Sequence, residues 1–237
     1  WTIVDGGTLN VADSHFLDHV ASPDVHVDDE QREIRLYYHG VVSTGPEPHF
    51  VWGSKTEIAV RGTVQGTRVA TSKDGLHFTP REALLGRPYF RVFRWDGWWY
   101  ALAMPGVFYR SRDGLSDFEQ GPTLFTPAMR HSAVKLDGDT LSVFYTNAGD
   151  CPERILRATV RLTGDWQTWT ASEPEEVLAP ELEWEGAHEP LEPSARGAVI
   201  GPAHQLRDPA VFREDGRAYL LYAAAGEYGI GIAELFE

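Results

Sequence analysis

The chain has 237 residues, 42% hydrophobic and 12% aromatic, enough apolar material for the core of one large all-β domain or two small ones. Thirty-five acidic against 21 basic residues give a formal charge of -14. That field repels phosphate backbones and anionic membrane surfaces, so neither nucleic acid nor membrane is an expected partner. No apolar run approaches the ~20 residues needed to cross a bilayer, and the single cysteine, Cys151, excludes an intrachain disulfide. The chain begins at Trp1 with no methionine and no signal peptide, which reads as a processed or cropped start.

In chain order, Trp1-Thr2-Ile3-Val4 reads as an orphan outer strand, and a repeated unit follows. In each copy a polar lead-in runs into an apolar strand, an acidic or Asp-Gly turn and an aromatic-rich second strand. The first copy is Ser22 to Val27, a turn at Asp28-Asp29-Glu30, then Ile34 to Gly40. The second is Tyr89 to Arg94, Asp96-Gly97, then Trp98 to Ala103. The third is Arg130 to Leu136, Asp137-Gly138, then Leu141 to Tyr145; the fourth is Arg207 to Phe212, Asp215-Gly216, then Ala218 to Tyr222.

Asp-Gly between β-prone runs supplies the positive φ angles of tight primed turns, so each pair is predicted to be a hairpin. The segments 69–78 and 108–118 share the pattern Ser-basic-Asp-Gly-Leu with a Phe two or three residues on, and read as a third strand, a turn and a fourth strand. Ile155 to Val160 with Trp166 to Thr170 fills the same place in the third copy, while Gly229 to Leu235 supplies only a third strand in the fourth. Four antiparallel strands per unit is the pattern of a β-propeller blade. A β-sandwich with incidental turns competes, and four aligned hairpins argue against it. Two inserts, Gly45–Gly66 and Glu173–Gln205, are expected to shape a rim, and the whole span 1–237 reads as one domain.

In a propeller the first strand of each blade lines the channel, so the lead-ins Asp24, Arg91, Arg130, His131, Arg207 and Asp208 are expected to converge. The loops after each second strand return to the same end and add His39, Met104, Asn147, Asp150 and Glu227, with His19 reaching the same region. Carboxylates, amides and imidazoles converging beside aromatic rings suit a polyhydroxylated ligand. Trp52, Trp95, Trp98, Trp99 and Trp184 are available for stacking, although alternation sends one of Trp98 and Trp99 into the core. No spacing resembles a zinc motif, and neither metal nor cofactor is expected. Cys151 has no partner pattern marking it as a nucleophile and reads as structural.

The elements Ser22-Pro23-Asp24-Val25, Arg35-Leu36-Tyr37-Tyr38, Arg207-Asp208-Pro209 and the recurring Ser-x-Asp-Gly hairpin resemble the five-bladed propeller glycosidases, glycoside hydrolase family 43 and the related family 32. The resemblance implies an all-β, five-bladed propeller whose first blade is incomplete in this chain. It implies that Asp24 tunes a general acid and that Asp208 contacts sugar hydroxyls and stabilises the transition state. The chain departs from the family where the third blade should carry the acid glutamate, because Arg91 stands there. Glu227 and His131 are the substitutes for handling the proton, the latter because imidazole titrates near neutrality.

Two functions follow. One is a glycoside hydrolase with Asp24, Asp208, Glu227 and His131 as catalytic groups and His19, His39, Arg91, Arg130, Asn147 and Arg207 binding the sugar. The other is a non-catalytic propeller that binds a carbohydrate or a protein.

Overall fold

A computed structural model describes residues 7–43 and 63–236. Trp1 to Val4, Trp52 and most of the first insert lie outside the described residues. The chain packs as two compact units, residues 1–103 with 107–120, and residues 104–106 with 121–237.

Four antiparallel sheets account for the regular structure, each with strands hydrogen-bonded in the order in which they occur in the chain. The first holds β1 (Ala21–Asp28), β2 (Glu33–Ser43), β3 (Thr63–Ser72) and β4 (Thr79–Pro80). The second holds β5 (Arg91–Trp95), β6 (Trp98–Ala103), β7 (Val107–Ser111) and β8 (Glu119–Thr123). The third holds β9 (Met129–Asp137), β10 (Thr140–Asn147), β11 (Ile155–Arg161) and β12 (Glu175–Leu178); the fourth holds β13 (Arg207–Glu214), β14 (Arg217–Ala224) and β15 (Gly229–Leu235). These are propeller blades, three with four strands and one with three. Four, not five, occur among the described residues.

All four predicted hairpins form. Asp96 with Gly97 and Asp215 with Gly216 adopt the paired positive φ angles that a two-residue primed turn requires. The Ser-x-Asp-Gly turns after β3 and β7 close alike: the Asp74 and Asp113 carboxylates each accept from the backbone N–H groups two and three residues on, at 2.8 to 2.9 Å. Tyr37 donates to the Gly114 carbonyl at 2.7 Å, so the second of these turns docks on β2.

The fourth strand of the third sheet differs from expectation. Trp166–Thr168 is a 3-10 turn, because the Asp165 carboxylate accepts from the Gln167 N–H at 3.1 Å and Trp166 is buried. The outer strand is β12, drawn from what the sequence presents as the start of the second insert.

Each unit has its own core. In the first, Tyr37, Val69, Phe90, Val92, Trp99 and Tyr109 cluster. In the second, Ala133, Phe144, Ile155, Leu206, Leu220 and Tyr222 cluster. Each large side chain so buried contributes about 1.5 to 3 kcal/mol of transfer free energy. Alternation divides the tryptophan pair as expected: Trp99 is buried, while Trp98 lies beneath the guanidinium groups of Arg110 and Arg112 at 4.3 and 3.4 Å. Cys151 is exposed.

Candidate functional site

Both units build their polar clusters on the same backbone device. The register slips between Ala21 and Asp24 in β1 and between Arg207 and Ala210 in β13, and each slip contains a residue at positive φ, Ser22 at 48° and Asp208 at 48°. A bulge of this kind re-aims the side chain beside it. Each also places a proline, Pro23 or Pro209, where no ladder N–H is needed.

In the first unit the bulge turns Asp24 toward β5. Its Oδ2 accepts from the Val92 N–H at 2.7 Å and sits 2.9 Å from His26 Nε2, two residues along the same strand face. Burial alone would raise the Asp24 carboxyl, but His26, the Arg91 charge and the Val92 N–H outweigh it and hold the group below the ordinary carboxylate range. His26 meets Tyr37 and Trp99 edge-on, with ring centroids at 5.9 and 6.5 Å. Arg91 donates to the carbonyls of Ser22 and Phe90 at 3.3 and 3.0 Å. His19 pairs with Asp18 at 2.8 Å and sits edge-on to His39, whose ring lies tilted against Tyr89 at a centroid distance of 4.0 Å. Gly40 permits this arrangement, since a Cβ there would lie 2.3 Å from the His19 carbonyl oxygen. The structure thus brings Asp24 and Arg91 to one strand opening and His19 and His39 to one another.

In the second unit Asp208 Oδ1 contacts His131 Nδ1 on β9. Burial raises the Asp208 carboxyl, and the combined effect of His131, Arg130 and Arg207 reverses that, leaving it lowered and ionised at neutral pH.

Beside this pair lies a buried charge cluster that sequence reasoning missed. Arg207 and Glu153 are both fully buried. The Glu153 carboxylate accepts from Thr146 Oγ1 at 2.6 Å and Arg130 Nη1 at 3.4 Å, and lies 3.3 Å from Arg207 Nε. The remaining guanidinium donors go to the Ala195 and Gly197 carbonyls, to Gln205 and to Glu227. Arg130 and Arg207, expected to bind sugar, therefore have their guanidinium groups bonded within the protein. A signal for Glu153 existed in the sequence: two arginines at inward-facing strand openings require a buried counter-charge. No repeat or motif marks which carboxylate supplies it.

Glu227 occupies the turn after β14, where Ala225 and Gly226 take positive φ and the Gly226 N–H donates to the Gln205 carbonyl at 2.8 Å. Arg207 Nη1 holds the Glu227 carboxylate at 3.2 Å, and its side chain is 33% exposed, close to the 32% of Asp208. The insert after β12 does form part of the surround, since Ala195 and Gly197 cap both arginines and the Glu185 carbonyl accepts from Ala225 N–H at 3.1 Å. At the end of β10, Asn147 Oδ1 is buried and has no hydrogen-bond partner among the described residues. Trp184, half exposed, stacks against Tyr222 at 6.4 Å.

No family model matches the chain. It is 36% identical over 233 residues to an uncharacterized protein of Acanthamoeba polyphaga mimivirus, covering 91% of this chain. The chain spans 61% of that relative's length. Among solved structures it is similar to the β-1,2-mannobiose phosphorylase of Listeria innocua in complex with β-1,2-mannobiose, at TM-score 0.58 and 14% identity over 90% of this chain and 71% of that one. A family-43 β-xylosidase/α-arabinofuranosidase from a compost microbial metagenome, in complex with xylotriose, matches at TM-score 0.58 and 13% identity, covering 98% and 75%. The α-L-arabinanase of Cellvibrio cellulosa, complexed with arabinohexaose, matches at 0.58 and 12%, covering 98% and 79%. The fold is that of the glycosidase β-propellers. At these identities the likeness is one of architecture.

Proposed function

We propose that the protein is a glycoside hydrolase acting on a glycan or oligosaccharide, with its reacting groups at the His131–Asp208–Glu227 cluster of the second unit. One observation carries this reading: an ionised aspartate braces an imidazole, and the fully buried arginine next to that aspartate in the chain holds a second, partly exposed carboxylate. Asp208 fixes the His131 ring through Nδ1, and the protonated Nε2 gives its proton to the leaving glycosidic oxygen. Glu227 removes a proton from the attacking water, whose oxygen forms the new bond at the anomeric carbon as the glycosidic bond breaks. Arg130, Arg207 and Glu153 hold the cluster from behind. In the same reading Asn147 binds a sugar hydroxyl, and the propeller is five-bladed, with its first blade incomplete in this chain.

The sugars held by the structural relatives support a carbohydrate as ligand. A second reading, a non-catalytic carbohydrate- or protein-binding propeller, is favoured by Arg91, which stands where the resemblance leads one to expect the acid glutamate. Release of aglycone or reducing sugar from a panel of aryl glycosides and polysaccharides separates the two. Hydrolysis predicts turnover by the wild type that falls about 100-fold or more in Glu227→Gln; sugar binding without any turnover would establish the binding protein instead.

A further inference from the structure

The first sheet buries a charge in an apolar cluster. The register of β2 with β3 pairs Leu36 with Ala70, Tyr38 with Arg68 and Gly40 with Gly66 on one face. Leu36, Tyr38 and Ala70 cluster there with Phe16, and Arg68 among them is only 8% exposed. Its Nε and Nη1 are buried and have no hydrogen-bond partner among the described residues. The guanidinium carbon lies 5.1 Å from the centre of the Phe16 ring, a contact that attracts a cation but supplies no acceptor. Tyr38, opposite it, donates its hydroxyl to the Ser14 carbonyl at 3.1 Å. Burial pulls the Arg68 guanidinium below its ordinary pKa, and Tyr38 and Glu82 offset this only in part. An arginine nonetheless keeps its proton, and a buried charge is normally both paired and hydrogen-bonded.

The chain beside β3 opens at the same place. Arg81 N–H donates to the Val69 carbonyl at 2.9 Å and Leu85 N–H to the Thr67 carbonyl at 2.8 Å. The longer step from Arg81 to Leu85 thus runs against the shorter one from Val69 to Thr67, and Glu82, Ala83 and Leu84 bow outward beside Arg68, all exposed. The two glycines make room for apolar walls: a Cβ on Gly40 would lie 2.5 Å from Phe16 Cγ, and one on Gly66 2.6 Å from Leu84 Cδ1.

We infer that Arg68 anchors a binding site for a small organic monocarboxylate, entered past Glu82 to Leu84 and independent of the chemistry proposed for the second unit. One guanidinium balances one negative charge, so a monoanion leaves the site neutral, whereas the dianion of inorganic phosphate would bury an uncompensated charge. A planar carboxylate matches the planar donor set of the guanidinium, and Phe16, Tyr38 and Leu84 offer apolar contact to a hydrocarbon body. Glu82 at the rim has the sign of the ligand and opposes its entry.

The test takes benzoate as the probe, with its neutral methyl ester and inorganic phosphate as controls, at about pH 8 and constant ionic strength. Benzoate is expected to raise the Tm of the wild type by about 3 °C or more at saturation, and the two controls by less than about 1 °C. Arg68→Met removes the charge at similar volume. Without ligand it should be no less stable than wild type, because the lost charge was unpaired, and it should show no benzoate shift. Glu82→Gln should tighten benzoate binding about threefold or more in isothermal titration. Absence of a benzoate response in both wild type and Glu82→Gln, or a response kept by Arg68→Met, would overturn the inference. Phosphate or the methyl ester matching benzoate would overturn the assignment to a monocarboxylate. A Tm lowered by more than about 2 °C in Arg68→Met would show that the guanidinium is already paired within the protein, and so also overturn it.

Discussion

The two units use one backbone device to different ends. In the first, the bulge at Ser22 turns the Asp24 carboxylate onto a neighbouring strand's N–H and onto a histidine of its own strand, and the group ends up as a tie between β1 and β5. In the second, the bulge at Asp208 turns the carboxylate onto His131, 77 residues away, while Arg207 beside it is anchored in the Glu153 cluster. The Asp208 side chain is 32% exposed against 19% for Asp24. Both carboxylates pair with an imidazole; the Asp24 oxygen is shared as well by the Val92 N–H, whereas Asp208 is the more exposed carboxylate. On this difference the proposal puts the chemistry in the second unit.

The largest effect should come from breaking the support of the second unit. Glu153→Gln leaves two buried guanidinium groups without their counter-charge, and removal of one partner of a buried pair costs about 3 to 5 kcal/mol. Urea unfolding should register that loss, and a change under about 1 kcal/mol would mean that the cluster is not what anchors Arg207. The corresponding break in the first unit is Gly114→Ala. Gly114 has φ of 71°, and a Cβ there would lie 2.6 Å from the Trp99 ring. A loss of about 1 to 3 kcal/mol is expected, readable as a lowered urea midpoint with the slope unchanged.

A smaller effect reads the ion pairs of both aspartates through pH. Both have folded pKa values below their unfolded ones, so each contributes stability that is present above the unfolded value near 3.8 and is lost as pH falls through the folded pKa. Asp24→Asn and Asp208→Asn should each flatten the fall in stability below about pH 4. Equal slopes for wild type and both variants between pH 5 and pH 2 would contradict the ion pairs on which the comparison rests.

Most of the fold was legible because Asp-Gly turns and period-2 alternation are local signals that need no partner to be read. The outer strand of the third sheet was not, since Trp166 to Thr170 alternates like a strand and only the Asp165 cap and the burial of Trp166 convert it to a 3-10 turn. The site was partly legible. The strand openings pointed to the residues that form the Asp208–His131 contact, and the side to which its loop returns pointed to Glu227, which Arg207 holds. Glu153 stayed hidden because its role depends on two arginines, one 23 residues before it and one far along the chain, meeting at a single carboxylate. That is a property of tertiary packing, and no local pattern carries it.

The account turns on which unit performs the chemistry. Glycoside turnover measured side by side for wild type, Asp24→Asn and Asp208→Asn tests this most directly. Loss of about 100-fold or more in Asp208→Asn, with Asp24→Asn retaining turnover within about tenfold of wild type, is the predicted result. Turnover abolished by Asp24→Asn and left intact by Asp208→Asn would contradict it.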